Sequence, residues 1–450
     1  MSRSPSSRRL GNIGTGLAQL ATRLKAKQAR IGIIGLGYVG LPLAVEFATE
    51  GFPVTGIEVD PDRVDQVNRG SSYVPDVPSQ TVARLIREKR LAATGTFASL
   101  PDLDAIIICV PTPLRKTREP DISYILAAAQ EIAKSLRRGQ LIVLESTTYP
   151  GTTDEVILPM LEARGLKAGS DFCLAFSPER IDPGNHAYNT RTIPKVIGGI
   201  TPKCREVAML LYRQVINQVV PVSSTKVAEM VKLLENTFRA VNIGLVNEIA
   251  LMCDKLGLDV WEVIEVAKTK PFGFLAFYPG PGTGGHCIPS DPMYLAWKAR
   301  LHGFESRFIE LADQINRYMP HHVVDKVACA LNERKKPLKG SRILLVGLAY
   351  KRDATDTRDS PAFEVAQALS ERGAQVRYHD PYVPTAHLNG RPATSSPLTP
   401  EQLKRVDCVV ILTNHSNIDY NLILRCAPLI VDTRNQYGNL RGKSTKIVSL

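Results

Sequence analysis

The sequence predicts an α/β protein in which two doubly wound domains are joined by a long central helix and a helical domain. Apolar strand-like segments alternate with amphipathic segments from residue 30 to 215, and the same alternation returns from residue 335 to 450. Between them, residues 224–256 contain no proline and repeat apolar residues at helical spacing. We therefore predict domains at 30–215, 216–334 and 335–450, preceded by a basic, disordered tail at 1–29.

The composition is that of an ordinary globular protein of several domains. Of the 450 residues, 44% are hydrophobic and 22% are charged. The sequence contains no apolar run long enough to span a bilayer and no secretory signal, so no membrane partner is expected. Eight cysteines are scattered without a CxxC pair, which favours reduced thiols in the cytoplasm and no metal site.

Most of the positive charge lies at the N-terminus. The net charge is +12, and residues 1–30 carry seven Lys or Arg and no acid, so the remainder carries 12 − 7 = +5. We interpret the tail as a solvated extension rather than a nucleic-acid arm, with a short helix where Leu17, Leu20 and Leu24 recur. The small positive excess of the body suits an anionic substrate and cofactor.

A dinucleotide-binding pattern begins the first domain. A buried-strand segment at 31–35 runs into Gly35-x-Gly37-x-x-Gly40, which opens a helix, and a second strand at 52–60 contains Glu58. Glycines at this spacing admit a pyrophosphate, and the acid binds the ribose hydroxyls of NAD rather than the 2′-phosphate of NADP. A glycine turn of another α/β protein is the alternative. The predicted NAD contacts are Gly35, Gly37, Tyr38, Val39, Gly40, Glu58 and, at the phosphates, Arg63.

Three further strands end in polar residues. Segment 104–113 ends at Thr112, segment 139–153 contains Ser146, Thr147 and Thr148, and segment 172–181 ends in Glu179 and Arg180. Ligands of open parallel sheets bind beyond the carboxyl ends of the strands, so these side chains are candidates for binding. The alternative is that the hydroxyls only cap the following helices.

The chemistry is predicted at a cysteine. Residues 279–292 read PGPGTGGHCIPSDP, and this density of Gly and Pro predicts a shaped loop rather than a helix or strand. Cys287 is a candidate nucleophile, and Asp291 a candidate for proton transfer. An inert, buried thiol is the alternative. On the long helix, Lys232 and Asn236 share a face because they are four residues apart.

The last domain repeats the alternation without the glycine motif. Strands are predicted at 341–351, 374–383, 406–413 and 427–435, with a helix at 358–373. Because GxGxxG is missing, this domain is expected to bind a ligand other than a dinucleotide.

Spaced motifs over residues 30–440 resemble the UDP-glucose/GDP-mannose dehydrogenase superfamily, NAD-dependent enzymes that oxidise a nucleotide sugar at C6 to a uronic acid. They are GLGYVGLP (35–42), CVPTP (109–113), STT (146–148), SPER (177–180), AExxKxxxN (228–236), GGHCIPSDP (284–292), and GLAYK followed by DTRDSP (347–361). The resemblance implies two Rossmann-like domains, the second of them binding the UDP part of the substrate.

The resemblance also implies residue roles. Cys287 would be the nucleophile, Lys232 and Asn236 would hold substrate and stabilise oxyanions, and Asp291 with Thr147 would move protons through an ordered water. Glu179 would be the base of thioester hydrolysis. The further implied contacts are Thr112, Thr147 and Arg358 with the cofactor, and Glu179, Arg180, Tyr278, Gly284 and Lys351 with the substrate.

The substrate branch is suggested by one departure from the family pattern. Ser290 stands where the UDP-glucose branch has Lys, and residues 270–295 resemble the branch that acts on UDP-N-acetylhexosamines, foremost UDP-N-acetylglucosamine, for surface polysaccharides. UDP-glucose oxidation is the alternative. A one-step hydroxyacid dehydrogenase, which would not need Cys287, and a non-catalytic NAD-binding scaffold are more distant alternatives. A homodimer or higher homo-oligomer through the long helix is expected, with Lys268 and Lys270 as candidates for a cation supplied by the partner.

Overall fold

The computed structural model describes residues 15–181, 188–440 and 443–450, which form two compact units, one up to Leu234 and the other from Glu235. The elements of the first unit are α1 (Thr15–Lys25), β1 (Ile31–Ile34), α2 (Gly40–Thr49), β2 (Val54–Ile57), α3 (Pro61–Asn68), α4 (Ser79–Arg87), β3 (Leu91–Thr94), β4 (Ala105–Ile108), α5 (Ser123–Ser135), β5 (Leu141–Leu144), α6 (Leu158–Glu162), β6 (Cys173–Phe176), β7 (Lys195–Gly199), α7 (Pro202–Tyr212) and β8 (Val219–Pro221). Helix α8 (Thr225–Leu256) begins in this unit and contains the boundary. The three predicted domain boundaries stay a prediction.

The first unit is built on an eight-stranded sheet of order β3-β2-β1-β4-β5-β6-β7-β8. All neighbouring pairs are parallel except β6 and β7. Strands β1, β4, β5 and β6 are buried at every position, as expected for parallel strands covered on both faces. The predicted doubly wound α/β class is thereby confirmed for this unit.

The short helix expected where Leu17, Leu20 and Leu24 recur is confirmed as α1, so the disorder expected of the N-terminal tail does not hold for residues 15–25. Its three leucines are at most 2% exposed and belong to the same apolar core as Phe47 of α2. The basic side chains beside them are paired with acids of the body, Arg23 with Asp104 at 2.7 Å and Lys27 with Glu50 at 2.7 Å. Packing of the leucines against α7 therefore stabilises a helix in this segment in spite of its basic composition. The rest of the predicted tail, residues 1–14, lies outside the described residues.

The second unit contains a smaller sheet. Its elements after α8 are α9 (Val260–Ala267), α10 (Cys287–Leu301), α11 (Arg307–Glu333), β9 (Arg342–Val346), α12 (Pro361–Glu371), β10 (Gln375–His379), β11 (Thr385–Leu388), β12 (Arg391–Thr394), α13 (Pro400–Arg405), β13 (Cys408–Ile411), α14 (Tyr420–Cys426), β14 (Ile430–Asp432) and β15 (Ile447–Ser449). Five strands pair in parallel in the order β10-β9-β13-β14-β15, and β11 and β12 form a hairpin. The second predicted α/β sheet is thus confirmed.

The described residues include no membrane-spanning helix, no metal-binding cluster and no disulfide. Within the described ranges, no helix is both long and apolar enough to cross a membrane. The same residues contain no group of three or more His, Cys, Asp or Glu placed to hold a metal ion. All eight cysteines belong to the part that the structure describes, and none of them forms a disulfide.

Candidate active site

The glycine turn between β1 and α2 is shaped by two glycines and left open at the third. A Cβ on Gly35, whose φ is +90°, would lie 2.6 Å from the carbonyl oxygen of Cys109, and a Cβ on Gly40 would lie 1.8 Å from the carbonyl oxygen of Gly35. A Cβ on Gly37 would meet no described atom within 4 Å. Protein packing therefore requires Gly35 and Gly40, whereas Gly37 faces open space at the N-terminus of α2, where a pyrophosphate would approach. Tyr38 is 39% exposed, and Val39 directly precedes the helix.

The acid after β2 is held by backbone amides. Glu58 is 6% exposed, and its carboxylate accepts hydrogen bonds from the amide of Leu36 at 3.0 Å and of Asp60 at 3.2 Å. The Arg63 guanidinium lies 3.7 Å from the Glu58 carboxylate and 5.4 Å from the centre of the Tyr73 ring. The structure therefore places Arg63 beside the acid expected to bind ribose, and its predicted contact with the phosphates stays a prediction.

The hydroxyl groups after β4 and β5 differ in their surroundings. Ser146 donates to the carbonyl oxygen of Val110 at 2.8 Å, and the hydroxyls of Thr148 and Thr152 are 2.6 Å apart. These two side chains are engaged within the protein, whereas Thr147 is partly exposed. Thr112 is buried, at 3% exposure. Of the three consecutive hydroxyls, Thr147 is thus the one best placed to reach a ligand.

A buried charge network that sequence reasoning missed surrounds Glu179. The Lys195 ammonium on β7 lies 2.7 Å from the Glu179 carboxylate and 2.9 Å from the carboxylate of Glu145, which follows β5. The amides of Arg180 and Ile181 donate to the other oxygen of Glu179 at 2.7 and 2.8 Å. A lysine inside the apolar segment PKVIGG was the only sequence signal of this network.

The pKa values of the two carboxyl groups in this network are shifted in opposite directions. Burial works to raise the pKa of Glu179, but the Lys195 charge and the two amides outweigh it and hold that pKa below the ordinary value. Burial raises the pKa of Glu145, in spite of Lys195 and a hydrogen bond from Tyr212. Glu179 is therefore held ionised, whereas Glu145 binds its proton more tightly than an ordinary carboxyl does.

Glu229 connects the first turns of α8 to the segment after Thr147 through hydrogen bonds. The Glu229 carboxylate, fully buried, accepts from the amide of Gly151 at 2.6 Å and from the amide and hydroxyl of Thr153 at 2.9 and 2.7 Å. Burial raises the pKa of Glu229 to about 7, against the lowering effect of these donors. Lys232 lies one turn further along α8 and is 8% exposed.

Cys287 is the first residue of α10, so the prediction that the loop extends to residue 292 is wrong from Cys287 onward. Pro289 lies in the first helical turn, where backbone N–H groups have no acceptor within the helix, so its missing N–H costs no helical hydrogen bond. The helix also contains Pro292. The helical conformation places Asp291 one turn after Cys287 on the same face. A thiol at a helix N-terminus is next to the positive end of the helix dipole, which favours the thiolate.

Asparagines hold the cysteine segment in place. The Asn236 amide of α8 donates to the Asp291 carboxylate at 2.5 Å, so the structure brings together two of the predicted catalytic side chains. Asn247 accepts from the Gly280 amide at 3.0 Å and donates to Asn316 of α11 at 2.9 Å. The glycine-rich loop before Cys287 is therefore fixed to two long helices. The role of Asn316 was not predicted from the sequence.

The same loop contacts the segment that follows β9. The Gly285 amide donates to the Arg358 carbonyl oxygen at 3.0 Å, and a Cβ on Gly284 would lie 2.4 Å from the Cβ of Tyr350. The Arg358 guanidinium pairs with Asp356 at 2.6 Å. Lys351, next to Tyr350, is partly exposed. The predicted substrate residues Gly284 and Lys351 thus belong to two segments that lie side by side.

Tyr278 takes part in a small cluster on α9. Its hydroxyl donates to Glu265 at 2.9 Å and lies 3.3 Å from the Lys268 ammonium, and its ring stacks on Trp261 with centres 6.0 Å apart. Lys268 is thus paired within its own chain. The Lys270 ammonium lies 5.0 Å from the centre of the Phe272 ring.

Comparison with known families returns three matches in chain order. The family models, described as domains of the UDP-glucose/GDP-mannose dehydrogenase family, are the NAD binding domain at residues 29–216, the central domain at 226–318 and the UDP binding domain at 344–439. The Cys287 loop falls in the central domain, and the segment with Lys351 in the UDP binding domain.

Individual relatives are similar over most of their length. The chain is 36% identical to a UDP-N-acetyl-D-glucosamine 6-dehydrogenase of Pseudomonas aeruginosa, covering 79% of this chain and 84% of the relative. It is 35% identical to an NDP-N-acetyl-D-galactosaminuronic acid dehydrogenase of Ralstonia nicotianae, with 91% and 97% covered. A solved structure of a UDP-N-acetylmannosamine dehydrogenase from Pyrococcus horikoshii matches with a TM-score of 0.82 and 34% identity, covering 90% of this chain and 95% of that one.

Proposed function

Because the chain belongs to the UDP-glucose/GDP-mannose dehydrogenase family of NAD-dependent nucleotide-sugar dehydrogenases, we propose that it oxidises a UDP-N-acetylhexosamine at C6 to the uronic acid. The observation that carries the proposal is Cys287 at the first position of α10, with Asp291 one turn away and held by Asn236. This arrangement supplies a thiol nucleophile and a positioned carboxylate, and a four-electron oxidation requires such a nucleophile whereas a one-step dehydrogenase does not.

The proposed chemistry has four steps. The C6 alcohol gives a hydride to NAD⁺ and a proton to the protein, which leaves an aldehyde. The Cys287 sulfur adds to the aldehyde carbon and forms a thiohemiacetal. This intermediate gives a second hydride to a second NAD⁺ and becomes a thioester. Water then cleaves the carbon–sulfur bond, releasing the acid and the thiol, so that one alcohol, two NAD⁺ and one water yield the acid, two NADH and two protons.

The remaining residues are assigned by their chemistry. Lys232 and the amide of Asn236 would stabilise the oxyanions of the tetrahedral intermediates. Asp291 and Thr147 would position water and move protons, and Glu179 would act as the base of hydrolysis. Glu179, whose pKa is held below its ordinary value, is ionised at neutral pH and can accept a proton, but the lowered pKa makes it a weaker base than an ordinary carboxylate.

The binding roles divide between cofactor and substrate. NAD would be held at Gly35, Gly37, Tyr38, Val39, Gly40, Glu58, Arg63, Thr112, Thr147 and Arg358. The nucleotide sugar would be held at Glu179, Arg180, Lys232, Asn236, Tyr278, Gly284 and Lys351. The open side of Gly37 and the amide-bound carboxylate of Glu58 support the first set, and the UDP binding family match over 344–439 supports Lys351 in the second.

The sugar is proposed from Ser290 and from the relatives. The three relatives above act, by their names, on glucosamine, mannosamine or galactosaminuronic derivatives with an N-acetyl group, at 34–36% identity. We therefore propose UDP-N-acetylglucosamine first, feeding surface polysaccharide synthesis, and UDP-glucose as the alternative. Eight free cysteines, one of them catalytic, suit a reducing compartment such as the cytoplasm.

A homodimer is proposed from apolar side chains of the second unit. Phe238, Leu245, Val263, Phe274 and Leu275 are 43–64% exposed and line a cavity of about 580 Å³ along α8 and α9. Exposed apolar patches of this kind mark interaction surfaces. A second copy of the chain is the partner expected for the long helix.

The experiment that tests the function counts NADH. With limiting UDP-N-acetylglucosamine, the protein should release two NADH per sugar and form the uronic acid, whereas UDP-glucose should react more slowly. Cys287→Ala should form no acid, because no thioester can arise. Cys329→Ser removes an exposed thiol outside the proposed site and should leave the stoichiometry at two. Full conversion by Cys287→Ala would exclude the thioester mechanism, and absence of NADH with any nucleotide sugar would exclude the function.

A further inference from the structure

Lys195, to which the chemistry above assigns no role, lies at the centre of the buried network around Glu179. Its side chain is 5% exposed, and those of Glu145 and Glu179 are 0% and 11% exposed. The ammonium bridges one oxygen of each carboxylate, at 2.9 and 2.7 Å, and lies 5.5 Å from the centre of the Tyr212 ring. A lysine is almost never buried to this extent unless it is paired, so the network is a built feature of the unit.

We propose that Lys195 is a positioning residue, which holds the Glu179 carboxylate ionised and in one orientation for the hydrolysis step. The inference rests on the proposed role of Glu179. Lys195 fixes one carboxylate oxygen, the amides of Arg180 and Ile181 fix the other, and the carboxylate is thereby locked in a single rotamer. Lys195, Glu145 and Glu179 form a triad, in which the small exposed part of Glu179 is the only accessible carboxylate surface.

The electrostatics of the network support an assignment of the two acids to different states. With both carboxylates ionised, the triad would carry one uncompensated negative charge in a buried place, which is costly. Tyr212 of α7 faces Glu145 and donates to it, and the Cys109 thiol after β4 adds no positive charge. Glu145, deeper and without backbone donors among the contacts described, is therefore the carboxyl that takes up a proton more readily, and Glu179 is the one held ionised.

The inference predicts what happens when the ammonium is removed. In Lys195→Met, burial acts on Glu179 without an opposing charge, so its titration should move to higher pH by about one unit or more. Lys195→Arg should keep the low titration because it restores a cation. Glu145→Gln, the matched control, removes the other carboxylate and should also leave Glu179 titrating low.

The test is an infrared titration of protein labelled with ¹³C-glutamate, in which Glu179→Gln identifies the Glu179 band. An upward shift in Lys195→Met but not in Lys195→Arg or Glu145→Gln supports the proposal. An unchanged Glu179 titration in Lys195→Met overturns it. If Lys195→Met does not fold, Lys195→Met combined with Glu145→Gln leaves one buried carboxylate without a cation, and the same comparison decides.

A kinetic measurement separates this inference from the proposed function. The titration requires no turnover, so it decides the role of Lys195 whether or not a nucleotide sugar is oxidised. In an active enzyme, the acid limb of kcat should move to higher pH in Lys195→Met while KM for NAD⁺ stays unchanged. A uniform loss of kcat at all pH values, with the acid limb in place, would show a merely structural lysine.

Discussion

At the scale of single residues, the glycines of the turn after β1 meet two different requirements, one set by packing within the protein and the other by the approach of a ligand. Gly35 and Gly40 are demanded by the protein itself, because any side chain there would meet backbone atoms. Gly37 meets nothing that the structure describes, so its lack of a side chain matters only when a ligand approaches. The two kinds of glycine can be told apart by substitution.

Gly37→Ala should fold normally and bind NAD⁺ at least about tenfold more weakly, since the new methyl group would lie where the pyrophosphate approaches. Gly40→Ala should lose at least about 3 kcal/mol of the free energy of unfolding, because its Cβ would lie within 2 Å of a backbone oxygen. Urea unfolding and calorimetric titration with NAD⁺ measure the two effects. Unchanged NAD⁺ affinity in Gly37→Ala would mean that the open side of the turn is not the cofactor side.

Glu229 gives a pH-dependent prediction. Its pKa is raised by burial to about 7 in the folded protein, from an ordinary value near 4.5. Because the folded protein binds this proton more tightly than the unfolded chain, protonated Glu229 stabilises the fold, fully so below its pKa in the unfolded chain. This contribution is lost as the pH rises through about 7. We compare the free energy of unfolding of the wild type with that of Glu229→Gln. The difference between the two should be about 2 kcal/mol larger at pH 5 than at pH 8. A difference that is constant between these pH values, measured with urea, would contradict the raised pKa.

At the scale of elements, α1 shows how a helix with a basic, polar sequence becomes part of a core. Its leucines recur at helical spacing, and they are buried because a second helix, α7, covers them. Deletion of residues 1–29 is therefore not the neutral change that a solvated tail would allow. It would remove three core side chains and the ion pairs of Arg23 and Lys27.

Leu20→Ala should lower the free energy of unfolding by about 2–4 kcal/mol, the usual cost of a cavity in a core. Gln19→Ala, at the exposed neighbouring position, should change it by less than about 0.5 kcal/mol. Urea unfolding at neutral pH compares the two variants. Equal, small effects would show that α1 does not contribute to the core in solution.

The elements also show what can be learned from sequence alone. Strands β1, β4 and β5 are continuous apolar runs, and the glycine turn follows from residue spacing, so both were predicted. The start of α10 was missed because proline reads as a helix breaker, although the first helical turn tolerates it. The partners of Lys195 could not be predicted, because Glu145 is 50 residues away and only the sheet order brings the two together.

At the scale of the whole molecule, the apolar side chains along α8 and α9 are the feature that a single chain leaves unexplained. Leu245 of α8 is 55% exposed and Leu275 is 64% exposed, on the rim of the same cavity. Both would be covered if a second copy packed there, as proposed above.

Analytical ultracentrifugation should therefore find twice the mass of one chain at micromolar concentration. Leu245→Glu should shift the protein to the mass of a single chain, because a charge would be buried in the interface. Glu248→Gln changes an exposed position of the same helix outside this cavity and should leave the mass doubled. A wild-type protein that sediments as a single chain would contradict the dimer.

The contact between α1 and α7 has a consequence for biosynthesis. The leucines of α1 can pack against α7 only after residue 212 has been translated, because Tyr212 ends α7. At a synthesis rate of about 5–20 residues per second, the apolar stripe of α1 stays without α7 for roughly 10 to 40 seconds. We expect chaperones that bind short apolar segments to bind this stripe until α7 has been made.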